Sequence, residues 1–184
     1  MKRLSERLKR PIVVAIERAQ SLSIYRKAAA RLRPDVRITE ATEADLRTVH
    51  AWFSPDQEER IQRRAPGVTD FVAKHGDKIV GFVQLVRRSE DAGAHAGFWL
   101  CSLRVRLPYR GMGLGESLCQ RVIDLARQEG AGELSLVVHE HNQRAAALYR
   151  KLGFAAKDVP ELDAQFEQER LARGRRRMVM TKSF

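Results

Sequence analysis

Gly111, Gly113 and Gly115 stand at alternate positions in the stretch YRGMGLGESL (109–118), directly ahead of an apolar-periodic segment. Glycines at this spacing let main-chain N–H groups approach a ligand with no Cβ in the way. A helix starting there adds unpaired N–H donors and the positive end of its dipole, so the chemistry on offer is the backbone binding of an anion. The simpler alternative is a glycine-rich turn that joins a strand to a helix. Two common phosphate patterns do not fit. The dinucleotide fingerprint would need a glycine where Glu116 or Leu118 stands, and no Lys follows these glycines as a P-loop requires.

The elements that must position this loop can be read from periodicity. The stretch GFWLCSLRV (97–105) reads as a strand entering the loop, and Leu114 to Glu129 as a helix leaving it, with Leu114, Leu118, Val122 and Leu125 on one stripe and Gly130 as its stop. ELSLVVHE (133–140) is apolar enough to be an interior strand. Asn142 is placed to cap a helix over QRAAALYRKLG that ends at Gly153. Asn142 and Tyr149, seven residues apart, then share a helix face at a spacing of about 10 Å. Upstream, VRITEAT reads as a strand, EADLRTVHAWF as a helix capped by Thr42, and PDQEERIQRRA as a second short helix stopped by Pro66-Gly67. Residues 70–88 form a hairpin around His75-Gly76-Asp77, followed by a loop, SEDAGAHA. Downstream come a short strand (FAAKDV), a helical insertion (PELDAQFEQERLARG) and a last strand (RRRMVMTKSF). This order implies an α/β domain with a mixed sheet.

Residues 1–34 stand apart. A helix is expected from Pro11 to Pro34, with one apolar stripe and a basic opposite face, packed on its own domain or on a second copy in a homodimer. Residues 1–36 hold ten Lys or Arg against three Asp or Glu, which carries much of the net charge of +11. Such a face suits nucleic acid, an anionic membrane or an acidic partner, but no nucleic-acid-binding module accompanies it, so nucleic acid is not the expected partner. The run IVVAI is too short for a signal peptide and no segment is apolar enough to span a bilayer. Cys101 and Cys119 are the only cysteines, which argues against a disulfide framework or a cysteine-built metal site. A soluble, cytoplasmic protein is expected, with a 1–34 extension and a 35–184 domain.

Over residues 36–184 the chain resembles the GNAT superfamily of acyl-CoA-dependent acyltransferases. Arg110, Gly113 and Gly115 match its Q/R-x-x-G-x-G/A signature. Asn142, Ala145, Leu148, Tyr149, Gly153 and Phe154 match its N-x-x-A-x-x-L-Y-x-x-x-G-F segment. The resemblance implies a largely antiparallel central sheet flanked by helices, and transfer of an acetyl group from acetyl-CoA, without a metal, to a small-molecule or peptide amine. It also implies direct attack by the amine in a ternary complex. By resemblance the main chain of Gly111, Met112, Gly113, Leu114, Gly115 and Glu116 would hold the CoA pyrophosphate, with Arg110 also binding the cofactor. Leu103, Arg104 and Val105 would hold the pantetheine arm and the acetyl carbonyl. Asn142 would contact the cofactor, and Tyr149 would protonate the departing thiolate while also touching CoA.

Two departures from the family pattern stand out. Pro108 comes one position later than in the family's V-x-P spacing. Some members carry a Glu base five residues before the Asn, where this chain has Val137. His139, two residues on and facing the same way along a strand, has a suitable ordinary pKa, near 6.5, to deprotonate an ammonium. His95, Glu140 and His141 compete for that role, and any of them could instead be a solvated strand-end residue. A protein that keeps the CoA cradle without catalysis, as a sensor or partner-recruiting module, is the alternative function. The acceptor would be selected by residues 43–66 and 157–175.

Overall fold

The computed structural model describes residues 35–52 and 66–184. The helices expected over 11–33 and 55–65 lie outside the described residues. Strand β1 (Val36–Glu40) leads into helix α1 (Glu43–His50). A capping box starts that helix: the Thr42 hydroxyl accepts from the Asp45 N–H at 3.3 Å, and the Asp45 carboxylate accepts from the Thr42 N–H at 2.9 Å. Strands β2 (Val68–His75) and β3 (Lys78–Arg88) form an antiparallel hairpin, turning at Gly76 with φ of +56°. The loop expected after it winds into a 3-10 turn, Glu90–His95, before β4 (Gly97–Val105). Then follow α2 (Leu114–Gln128), β5 (Glu133–His139), α3 (Gln143–Lys151), β6 (Ala155–Lys157), α4 (Pro160–Arg173) and β7 (Arg177–Ser183).

The strands make one seven-stranded sheet in the order β1-β2-β3-β4-β5-β7-β6. Strands β2 and β3, β3 and β4, β5 and β7, and β6 and β7 pair antiparallel, whereas β4 and β5 run parallel. Thus β5 is interior, as its apolar run implies. Helix α2 packs on β2, β3 and β4. Gly81 permits that approach, since a Cβ there would lie 2.8 Å from a Leu118 methyl and 3.2 Å from the Ala73 Cβ.

The buried face of α2 comprises Leu118, Cys119, Val122, Ile123 and Ala126, while Leu114 and Leu125 are only half-buried. It is therefore turned from the expected stripe, because a sheet covers two adjacent positions in each helical turn rather than one. Phe82 alternates with Gly81 and faces the other side of the sheet. There it joins Val72, Ile79, Leu46 and Val49 in a cluster under α1. Val86, on the same face, belongs to a second cluster with Trp99, Leu162, Phe166 and Val179 under α4.

Candidate active site

Strands β4 and β5 share register only at Phe98 with Leu134 and at Trp99 with Ser135. Beyond those pairs they part, and cavities lined by both strands or by their following loops open toward their C-terminal ends. A bulge in β4 widens the break: the β3 register shifts between Phe82 and Gln84, and Ser102 opposite takes φ of +56°. A left-handed conformation is uncommon for a non-glycine residue, and such bulges re-aim the side chains that follow.

The first cavity, about 470 Å³, lies between the end of β4, the glycine loop and the start of α3. Leu103, Arg104, Val105, Arg110, Gly111, Gly113, Gly115, Glu116 and Asn142 all line it, whereas Met112 and Leu114 do not. Gly113 is the N-cap of α2 in the left-handed region, at φ of +85°, and a Cβ there would meet nothing within 4 Å. The first intrahelical bond runs from the Ser117 N–H to the Gly113 carbonyl at 3.0 Å. The N–H groups of Leu114, Gly115 and Glu116 therefore have no carbonyl one turn back to donate to. Arg144 also lines the cavity, and Arg110 is steadied by donating from Nε to the Val105 carbonyl at 2.9 Å. The carboxylate in its wall, Glu116, is neutralised by Lys151 at 2.6 Å. The Arg104 guanidinium donates to the Trp52 carbonyl at 2.9 Å, tying β4 to the end of α1.

A second cavity of about 670 Å³ meets the first at Leu103, Asn142 and Ala145. Asn142 caps α3, its side-chain oxygen accepting from the Ala145 N–H at 3.2 Å. Tyr149 lines this second space and is 7% exposed. Burial pushes its phenol well above the usual range, with the Cys119 and Cys101 thiols adding to the shift, so the hydroxyl stays protonated. Burial also raises both thiols, Cys119 to about 12 with help from Glu116, so neither is a thiolate near neutral pH.

His139 and His95 both line the second cavity, whereas Glu140 and His141 do not, and Glu140 faces Arg176 at 3.6 Å. Burial lowers the His139 pKa, followed by His141, Arg177 and Arg175, against an opposing effect of Glu169. Burial likewise lowers His95, with Arg88 and Arg177 next. Both rings are therefore neutral at pH 7. Residues 157–175 were expected to act on the acceptor, but Arg88, Trp99 and Arg177 carried no sequence signal. They reach the cavity through strand register: Arg177 is the partner of His139, and Trp99 of Val86, two residues before Arg88. Glu169 and Arg177 form a two-pronged ion pair, with Nε donating at 2.7 Å and Nη2 donating to the other carboxylate oxygen.

Residues 36–154 match the family described as Acetyltransferase (GNAT) family. The chain belongs to that family. It is 30% identical over 84 residues to N-alpha-acetyltransferase 30 of Schizosaccharomyces pombe, covering 46% of this chain and 55% of that protein. It is 35% identical over 65 residues to the thialysine N-epsilon-acetyltransferase of Bos taurus, covering 35% and 37% respectively. The chain thus spans about half or less of the length of these curated relatives. The ribosomal-protein-S18-alanine N-acetyltransferase from Escherichia coli shares the fold, with a TM-score of 0.62 over 80% of this chain and 93% of that one at 19% identity. The GNAT match takes in the glycine loop, Asn142 and Tyr149, and stops before α4 and β7.

Proposed function

We propose that the chain transfers an acetyl group from acetyl-CoA to a primary amine, with both substrates bound together. The observation that carries this reading is that Leu103, Asn142 and Ala145 line both cavities, with an anion cradle on one side and a buried, protonated phenol on the other. The cradle suits a pyrophosphate. It offers the three unpaired N–H groups of α2, the left-handed Gly113 with open space at its Cβ position, Arg110 and Arg144, and a carboxylate already neutralised. Acetyl-CoA would supply a thioester, whose acyl carbon the amine attacks.

The chain's own residues then have four tasks. Main-chain N–H groups at the parted edge of β4, from Leu103 and Val105 on either side of Arg104, whose own N–H faces β3, orient the carbonyl and stabilise negative charge on its oxygen. Asn142 sits where the two substrates meet. Neutral His139 accepts a proton from the acceptor's ammonium, Tyr149 gives one to the sulfur as the carbon–sulfur bond breaks, and the second proton that the nitrogen loses on becoming an amide returns the phenol to its neutral form. No covalent enzyme intermediate is required, which agrees with two thiols held neutral by burial.

We assign this activity to residues 35–184, with residues 1–34 as an extension outside it. Incubating the full chain with acetyl-CoA and a panel of amines, peptides and aminoglycosides tests the reading. Release of free CoA thiol that depends on the amine, with an acetylated product by mass, is the expected result. Acetyl-CoA binding with no release across the panel would leave only a CoA-binding module, in line with Val137 standing where some relatives place a carboxylate. The names of the relatives specify different amines, so likeness does not choose the acceptor.

A further inference from the structure

We propose that the acceptor is a small amine that also carries a carboxylate, and that Arg88 binds that carboxylate. The inference rests on the acetyltransferase reading above and concerns the second cavity alone. Three fully charged side chains described there matter: Arg88 at the end of β3, Glu169 on α4 and Arg177 at the start of β7. Glu169 is held on both oxygens by Arg177. Arg88 lies against the Trp99 ring, its guanidinium carbon 5.8 Å from the centroid, and pairs with no carboxylate among the described residues. The two histidines in the wall add no compensating charge, because burial and the neighbouring arginines keep both neutral.

The described lining therefore carries one positive charge without a counterion, in a space meant for an amine that arrives as an ammonium. A bare ammonium, and still more a polyamine, would be repelled by such a lining. An amine with its own carboxylate would not be. Its carboxylate meets the planar fork of Arg88, a geometry suited to two parallel hydrogen bonds. Its nitrogen is then left toward the side of the cavity where His139 and Tyr149 stand, and Trp99 and Phe166 offer apolar walls for the carbon skeleton. About 670 Å³ is the size of a small-molecule pocket, which favours a free amino acid over a peptide chain.

The test measures thiol release by the full chain at saturating acetyl-CoA. The acceptors are α-, β- and γ-amino acids, the methyl esters of the same compounds, and spermidine. The acids should exceed their esters in kcat/KM by about tenfold or more, with spermidine slowest, as expected for a charge-assisted hydrogen-bonded pair. Arg88→Met keeps the stem on Trp99 and should cut kcat/KM for the acids by about 10- to 100-fold, chiefly through KM, and erase their advantage over the esters. Arg88→Lys should restore part of it. Calorimetry on the CoA-saturated chain provides a second readout, in which acids bind and esters do not. Esters or spermidine used as well as the acids, a preference that survives in Arg88→Met, or acids that neither turn over nor bind would each overturn the inference. Those results leave the acetyltransferase reading standing provided acetyl-CoA still binds, whereas a chain that does not bind acetyl-CoA loses both.

Discussion

The first cavity is walled by two short continuous stretches, 103–116 and 142–148, and much of what it offers is main chain. The second takes its side chains from β3, the turn before β4, β4 itself, β5, α3, α4 and β7. One site is made by bare backbone at a helix start, where side-chain identity matters little beyond the glycines. The other is made by side chains that only the sheet brings together. The family match takes in the whole lining of the first cavity and most of the second, ending at residue 154, ahead of Gln165, Phe166, Glu169 and Arg177.

Tyr149, in the wall of the second cavity, gives the largest expected effect. Tyr149→Phe removes one hydroxyl and keeps the ring packing on Phe154, so acetyl-CoA affinity should hold while turnover falls by about 10²–10⁴-fold. Single-turnover kinetics checks it, and an unchanged chemical rate would make Tyr149 a packing residue and break the division at that point.

His139→Gln sharpens the acceptor side. Its effect should fall near the low end, about 10²-fold, since water can carry the proton. The pH profile is the more specific readout. Because the His139 pKa is lowered, protonation disables the base only below the ordinary histidine range. In the unaltered chain kcat/KM should therefore rise with pH through a value under 6.5 and be flat at neutrality, and in His139→Gln that acidic limb should vanish.

Asp45→Ala, in the α1 capping box and outside both cavities, should lower stability by about 1 kcal/mol in urea unfolding without changing CoA affinity. Burial alone would raise the Asp45 carboxyl, but Lys74 at 2.8 Å and the Thr42 bonds outweigh it and hold the pKa low. Its contribution is accordingly present above the unfolded carboxylate pKa and lost as pH falls through the lowered one. The gap between Asp45→Ala and the unaltered chain should narrow in acid.

Legibility followed the chemistry of each region. The glycine loop, the Asn142 cap and the helix to Gly153 were readable because caps, glycines and the 3.6-residue period are local signals. The hairpin at Gly76 and the interior place of β5 were readable for the same reason. Turning of the α2 face away from Leu114 and Leu125 was not, since it depends on how the sheet meets the helix. Arg88, Trp99 and Arg177 left no trace either: each is an ordinary strand residue until register sets Arg177 beside His139 and Val86 beside Trp99.

The central claim is that the start of α2 holds the anionic part of acetyl-CoA, and calorimetry on Gly113→Asp tests it most directly. Aspartate tolerates the left-handed backbone better than most residues, and a Cβ at this position has open space around it, so circular dichroism should show the fold intact. Its carboxylate would stand at the helix N-terminus where the pyrophosphate belongs. The account predicts a loss of acetyl-CoA affinity of about 100-fold or more, the scale of a charge-assisted contact replaced by like-charge repulsion. An affinity equal to that of the unaltered chain, in a folded variant, would contradict it.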